Sequence, residues 1–281
     1  MTGLSLPSLN IPALLRQYDL RPHKGLGQNF LQDETALQKI VNVAELHPDD
    51  NVLEIGPGLG SLTRYLSLVS HSVIAVELDQ DLFPALTAVL APYSNVRLVH
   101  GDILELNPAE LMDTSDYVVV ANIPYYITSA VIRHLLESAS RPRRVVLTVQ
   151  REVAERICAG PGDMSLLALS VQVYGKPSIE KTIPAAAFHP APKVDSAVVK
   201  IEIYPEPVIP PARLDMFFRL AKSGFGQKRK TLRNSLGALL GREQAEILLA
   251  KAGIDPMRRA ETLSLEEWGK VSSQWSVISG Q

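Results

Sequence analysis

Between residues 51 and 149, five short apolar runs rich in β-branched residues alternate with stretches of helical periodicity. The runs cover residues 51–55, 72–77, 96–100, 116–121 and 144–149. They are almost continuously apolar rather than alternating, as strands covered on both faces must be. Residues 33–44, 61–69, 80–90, 128–138 and 151–159 read as helices. Strand–helix–strand alternation restricts such a chain to right-handed crossovers and a doubly wound α/β sheet. Two later strand candidates, 166–174 and 196–204, have no clear helix between them. They read as a closing antiparallel pair at the sheet edge.

The pattern changes at Tyr204-Pro-Glu-Pro-Val-Ile-Pro-Pro211, which carries four prolines in eight residues. Proline removes a backbone donor and fixes φ, so this stretch is neither helix interior nor central strand. It reads as a stiff linker. Beyond it only helical periodicity remains, over residues 214–222, 228–240, 242–252 and 265–273. Gly241 and Gly253 sit where helices stop, and Asp255-Pro256 restarts the chain as a turn. The expected domains are therefore 1–206, with 1–20 as an N-terminal extension, and a helical domain over 207–281.

Charge qualifies the function classes open to the chain. The 281 residues carry 28 Lys+Arg and 30 Asp+Glu, a formal net charge of -2. Taken as a sum, this argues against a polyanionic partner. By segment it does not. Residues 213–233 hold seven Lys/Arg and one Asp, so the other 260 residues total -8. Residues 141–156 hold five Arg against two Glu, and this second cluster reads as a solvated face rather than an RNA contact. The one cysteine, Cys158, excludes an internal disulfide or a zinc finger. No apolar run reaches about 18 residues, so no membrane span is expected. Met1–Asn10 lacks the pattern of a secretory signal. His23, His47, His71, His100, His134 and His189 show no metal spacing.

Four motifs carry chemistry. Glu54-Ile-Gly56-Pro-Gly58-Leu-Gly60 follows the first strand and opens a helix. Its glycines allow a tight turn and close approach of backbone to a ligand. The spacing is G-x-G-x-G, with Ser61 at the third glycine of the dinucleotide pattern, which favours S-adenosylmethionine over a pyrophosphate cofactor. Glu77 closes the second strand 21 residues after Gly56, the spacing of a carboxylate that binds ribose hydroxyls. A solvated strand-end acid is the alternative. Asp102, in His100-Gly101-Asp102, could accept from an adenine amine or serve as a turn former.

The most specific motif is Asn122-Ile-Pro124-Tyr125-Tyr126 after the fourth strand. A base amine is a poor nucleophile because its lone pair is delocalised into the ring. The Asn122 amide oxygen and a backbone carbonyl, that of Ile123, can accept from its two N–H groups and favour a pyramidal nitrogen. Tyr125 can stack on a base that is flipped out or single-stranded. Such catalysis is positioning rather than acid–base chemistry, and needs no metal.

Together these residues resemble the ribosomal RNA adenine N6,N6-dimethyltransferase family. Gly27-Gln28-Asn29-Phe30-Leu31 is similar to its N-terminal cofactor motif. Phe188-His-Pro190-Ala-Pro192-Lys-Val194-Asp195-Ser196 is similar to its loop after the sheet. Phe225-Gly-Gln227-Lys-Arg229-Lys230-Thr-Leu-Arg233-Asn234 and Gly253-Ile-Asp255-Pro256 are similar to its C-terminal motifs. One departure is Leu166-Leu-Ala-Leu169-Ser170, which lacks the family's Tyr-Gly and leaves the local loop shape open.

The resemblance implies a Class I S-adenosylmethionine-dependent methyltransferase domain, Rossmann-like, with a small C-terminal helical domain. It implies dimethylation of two adjacent adenosines in a 3′-terminal hairpin of small-subunit rRNA during ribosome assembly. The implied cofactor residues are Asn29, Leu31 (through its backbone), Gly56, Glu77, Asp102 and Asn122. The implied catalytic set is Asn122, Pro124, Tyr125 and Phe188, with Phe188 stacking on the base opposite Tyr125. Lys228, Arg229, Lys230 and Arg233 are the expected RNA contacts. A cytoplasmic monomer acting on the immature small subunit, with no membrane partner, is the expected setting. Two rivals remain: the related large-subunit rRNA methyltransferase of the macrolide-resistance type, and a ribosome-assembly binding factor with the same fold. The 188–196 loop and the Gly253–Pro256 motif weigh against the first.

Overall fold

The structure, a computed structural model, describes residues 6–124 and 127–279, with side chains described as far as 275. In chain order the elements are α1 (Ile11–Gln17), β1 (Phe30–Leu31), α2 (Glu34–Ala44), β2 (Asn51–Ile55), α3 (Ser61–Ser67), β3 (Ser72–Glu77), α4 (Phe83–Leu90), β4 (Val96–His100), α5 (Pro108–Met112), β5 (Tyr117–Asn122), α6 (Thr128–Glu137), β6 (Arg144–Gln150), α7 (Arg151–Ile157), α8 (Leu166–Gln172), β7 (Gly175–Ile183), β8 (Phe188–His189), β9 (Ser196–Ile203), α9 (Pro211–Phe225), α10 (Leu232–Leu240), α11 (Arg242–Lys251) and α12 (Leu265–Ser279).

Seven strands form one mixed sheet in the order β4-β3-β2-β5-β6-β9-β7. Pairings from β4 through β6 are parallel, and β6 meets β9 antiparallel. The fold is α/β, as the alternation requires. Tyr117–Ala121 are fully buried, which explains why β5 reads as a continuous apolar run. Helix α2 starts where the Asp33 carboxylate accepts from the Ala36 N–H at 2.7 Å, a cap contributing about 1 kcal/mol. Its apolar face, Leu37, Ile40, Val41 and Ala44, packs in one cluster with Val52, Val73, Val118 and Val146. Full burial of Ile40 alone contributes roughly 1.5–3 kcal/mol. Strand order reverses between β2's neighbours β3 and β5, so a crevice opens at the carboxyl ends of these strands.

The structure corrects the sequence reading at three places. Residues 166–174 are not a strand: 166–172 form α8, capped by the Ser165 hydroxyl, which accepts from the Ala168 N–H at 3.1 Å. The seventh strand is instead β7, a sheet edge. It carries Lys176, Pro177 and Lys181, residues that suit an edge and weaken an apolar signal. Residues 228–230 precede α10 rather than belonging to it. In the N-terminal extension, Asn10 caps α1 by accepting from the Ala13 N–H.

The chain divides into two compact units, residues 1–154 with 177–203, and residues 155–176 with 204–281. The switch near residue 204 falls at the proline-rich stretch. Residues 155–176, expected in the first domain, group with the helical unit. Their backbone explains it: the Gly162 and Met164 N–H groups both donate to the Glu261 carbonyl, and Val208 donates to Val173. In that unit Phe217 and Leu220 are fully buried and Met216 is half-buried, so this face of α9 lies in the bundle core. Gly241 and Gly253 follow α10 and α11 with φ of 86° and 70°, a conformation costly for residues with a Cβ.

Candidate functional site

The crevice is a single cavity in the first unit. Among the residues lining it are Asn29, Leu31, Glu54, Gly56, Glu77, Asp102, Asn122, Pro124 and Phe188. Every cofactor residue expected from the sequence is thus at one site. Of the expected catalytic set, Tyr125 lies outside the described residues.

The glycine loop between β2 and α3 turns through three left-handed positions. At Gly58, φ is 59°, and a Cβ there would meet the Phe30 ring at 2.9 Å. A side chain is therefore excluded by both conformation and space. The turn leaves the Gly58 N–H aimed at the end of β3, where it donates to Glu77 Oε2 at 2.9 Å. Glu77 Oε1 accepts from the Asp79 N–H, also at 2.9 Å. Burial raises the Glu77 pKa, and these backbone donors pull it partly back. A carboxylate has about four lone-pair directions. Each Glu77 oxygen therefore keeps acceptor capacity for a diol. Asp102 Oδ1 accepts from the Leu104 N–H at 2.9 Å, so its turn-forming role is present while the residue still lines the cavity.

Glu54 opens the glycine motif, and the sequence pattern alone gives it no role. It is 1% exposed, lines the cavity, and its Oε2 has no hydrogen-bond partner among the described residues. Burial pushes its pKa up to about 8; the Thr63 hydroxyl pulls it partly back and the Glu77 charge raises it. A buried acid of this kind holds its proton at neutral pH unless a cation is placed beside it.

Asn122 ends β5 and donates from Nδ2 to the Asn29 carbonyl at 3.3 Å. Leu31 pairs with Phe188 across the short β1–β8 ladder, which brings the N-terminal motif and the 188–196 loop to the same cavity. Phe188 is buried. The Pro124 carbonyl accepts from the Ile127 N–H at 3.2 Å, which is spent on turning the chain into α6.

The expected RNA residues lie in the second unit. Lys228, Arg229 and Lys230 are exposed in the turn before α10. Arg233 differs: its guanidinium pairs with Glu246 at 2.7 Å. In the 141–156 cluster, Arg143 bridges Asp50 and Asp116, and Arg144 pairs with Glu45 and Glu202. These two arginines tie elements of the first unit together rather than forming a solvated face. Burial pushes the half-buried Cys158 thiol up to about 11, which leaves it unreactive near neutrality. No group of three His, Cys, Asp or Glu could hold a metal ion among the described residues. No helix among them is long and apolar enough to cross a membrane.

Residues 20–275 match the model of the family described as ribosomal RNA adenine dimethylase. The chain belongs to the ribosomal RNA adenine dimethylase family. It is 49% identical over 277 residues to a ribosomal RNA small subunit methyltransferase A of Dehalococcoides mccartyi (strain CBDB1), covering 97% of this chain and 95% of that protein. A protein of the same name from Moorella thermoacetica is 45% identical, covering 97% and 98%. Among solved structures, a dimethyladenosine transferase from Plasmodium falciparum superposes with a TM-score of 0.79 at 25% identity, covering 89% of this chain and 98% of that one. The 23S rRNA methyltransferase ErmE gives 0.72 at 28% identity, covering 88% and 99%. The cavity described above is therefore the candidate active site of a dimethylase-family member.

Proposed function

We propose that the chain transfers methyl groups from S-adenosylmethionine to the N6 amines of two adjacent adenosines in a 3′-terminal hairpin of small-subunit rRNA. The observation that carries this reading is the convergence of Glu54, Glu77 and Asn122 on one cavity. The residues fit the cofactor's chemistry. Glu54 Oε2, buried without a partner, suits a cationic group. Glu77, held by two backbone donors, suits a ribose diol. Asp102 suits the adenine amine. When bound, S-adenosylmethionine supplies an electrophilic methyl on a sulfonium centre.

The chain's own residues do the rest by positioning. The Asn122 amide oxygen accepts from the target N6–H and favours a pyramidal nitrogen with its lone pair free. Phe188 offers an apolar face for the extruded base. Lys228, Arg229 and Lys230 contact phosphate, which positions the RNA without reading its sequence. Arg233 supports this segment through Glu246 instead. The setting we infer is a monomer in the cytoplasm acting on the immature small subunit; the relatives at 45–49% identity, named as small subunit methyltransferases, favour the choice of small-subunit rRNA. The test is transfer of labelled methyl to immature small and to large subunits in parallel. Labelling of small subunits supports the reading; labelling of large subunits alone assigns the resistance-type activity instead.

A further inference from the structure

The 23–31 segment crosses one side of the cavity, and its backbone bonds over residues 23–28 are local, closing a 3-10 turn at Lys24–Leu26 without reaching β3. Its strand β1 is two residues long, and Gly27 before it is left-handed with φ of 62°. The Gln28 side chain supplies what the backbone lacks. Its Oε1 accepts from the His23 N–H at 2.7 Å, and its Nε2 donates to Asp79 Oδ2 at 2.5 Å, across 51 positions of sequence. Asp79 lies just past β3, where its own N–H holds Glu77 Oε1. On the other side of Gln28, the Asn29 carbonyl accepts from Asn122 Nδ2. The bonds therefore run from Gly58 through Glu77, Asp79, Gln28 and Asn29 to Asn122, and all of these but Asp79 line the cavity.

We propose that Gln28 is a positioning residue that latches the 23–31 segment to Asp79 and, through the Asn29 carbonyl, keeps the Asn122 amide oxygen turned toward the target amine. The proposal rests on the reading of Asn122 as the amine's acceptor. A primary amide presents a donor at one end and an acceptor at the other. With Nδ2 fixed on the Asn29 carbonyl, the end left for the substrate is the acceptor. If the segment drifts, nothing distinguishes the two ends and half of the orientations offer the amine a donor. Gln28 ties the start of its own segment to the end of β3 because it accepts at one end, from His23, and donates at the other, to Asp79. A glutamate there would set two carboxylates against each other.

The test compares Gln28→Glu, Asp79→Asn and the double variant Gln28→Glu/Asp79→Asn with the wild type. In the double variant the carboxylate introduced at position 28 accepts from both the His23 N–H and the amide introduced at position 79, which restores the latch with reversed polarity. Calorimetry with S-adenosylmethionine reads the cofactor side, and kcat at saturating cofactor reads Asn122. Gln28→Glu is expected to weaken cofactor binding about tenfold, the coupling of neighbours in one hydrogen-bond network, because the Asp79 N–H holds Glu77 Oε1, and to lower kcat as well. The double variant is expected to recover most of both, a coupling that independent sites do not show. Unchanged binding and kcat in Gln28→Glu overturn the proposal, as does a double variant no better than the single one. A lowered melting temperature with unaltered kcat also overturns it. Wild-type transfer, measured in the same series, tests the enzymatic reading separately, and the binding arm judges the latch on its own.

Discussion

Glu54→Gln tests whether the cavity holds a buried acid awaiting a cation. Folded Glu54 keeps its proton up to about pH 8, whereas its ordinary value is 4.5. Between these values the folded state binds more protons than the unfolded chain, so its contribution to stability falls as pH rises. Each pH unit is worth about 1.4 kcal/mol, or about 3 kcal/mol between pH 5 and 7. Glutamine has nearly the same shape and no proton to lose. Urea unfolding followed by circular dichroism at pH 5, 6, 7 and 8 reads the difference. The stability of the wild type minus that of Glu54→Gln is expected to fall steadily across this range. Bound S-adenosylmethionine should draw the proton off, so wild-type cofactor affinity rises with pH over the same range while that of Glu54→Gln stays level. A pH-independent difference in stability between the two proteins would refute the argument from burial.

Glu77→Ala removes an acceptor and leaves the Gly58 and Asp79 N–H groups without it; cofactor affinity measured by calorimetry should drop by about 1–3 kcal/mol. Asn122→Ala should abolish transfer while the circular dichroism spectrum and melting temperature stay near wild type, since its one described side-chain bond is a 3.3 Å contact to Asn29. Reversing Lys228, Arg229 and Lys230 to glutamate should weaken binding to the rRNA hairpin in a filter-binding assay. It should also flatten the plot of log affinity against log salt by about 2–3, as the loss of three phosphate contacts implies.

Much of the fold was legible because its central strands are buried on both faces. Residues 51–55, 72–77 and 116–121 announce themselves as continuous apolar runs, and the acids and the asparagine stand at or just past their ends. The glycine loop was legible for a related reason: Gly56, Gly58 and Gly60 occupy left-handed conformations that other residues adopt at a cost. Residues 166–174 misled because a short apolar run has no period long enough to separate helix from strand. The deciding signal was local, the Ser165 cap, and it was present in the sequence. Strand β7 was hidden by its edge chemistry. Arg143 and Arg144 looked like a charge run, and only the fold brings Asp50 and Glu45 to them. Gln28 and Asp79 lie 51 residues apart, so no local pattern could pair them. Glu54 stood in the motif, and its burial with an unpartnered oxygen is a property of the folded cavity.

The proposed activity turns on which atoms of which RNA receive methyl groups. The decisive experiment incubates the protein and S-adenosylmethionine with immature small subunits, then maps the rRNA by primer extension and nucleoside mass spectrometry. Two methyl groups on one adenine nitrogen remove its last N–H and block base pairing, so reverse transcriptase halts there. The expected result is adjacent stops near the 3′ end of the small-subunit rRNA and N6,N6-dimethyladenosine among the nucleosides, both lost with Asn122→Ala. Stops in large-subunit rRNA alone, or methyl transfer that survives Asn122→Ala, would contradict the proposed chemistry.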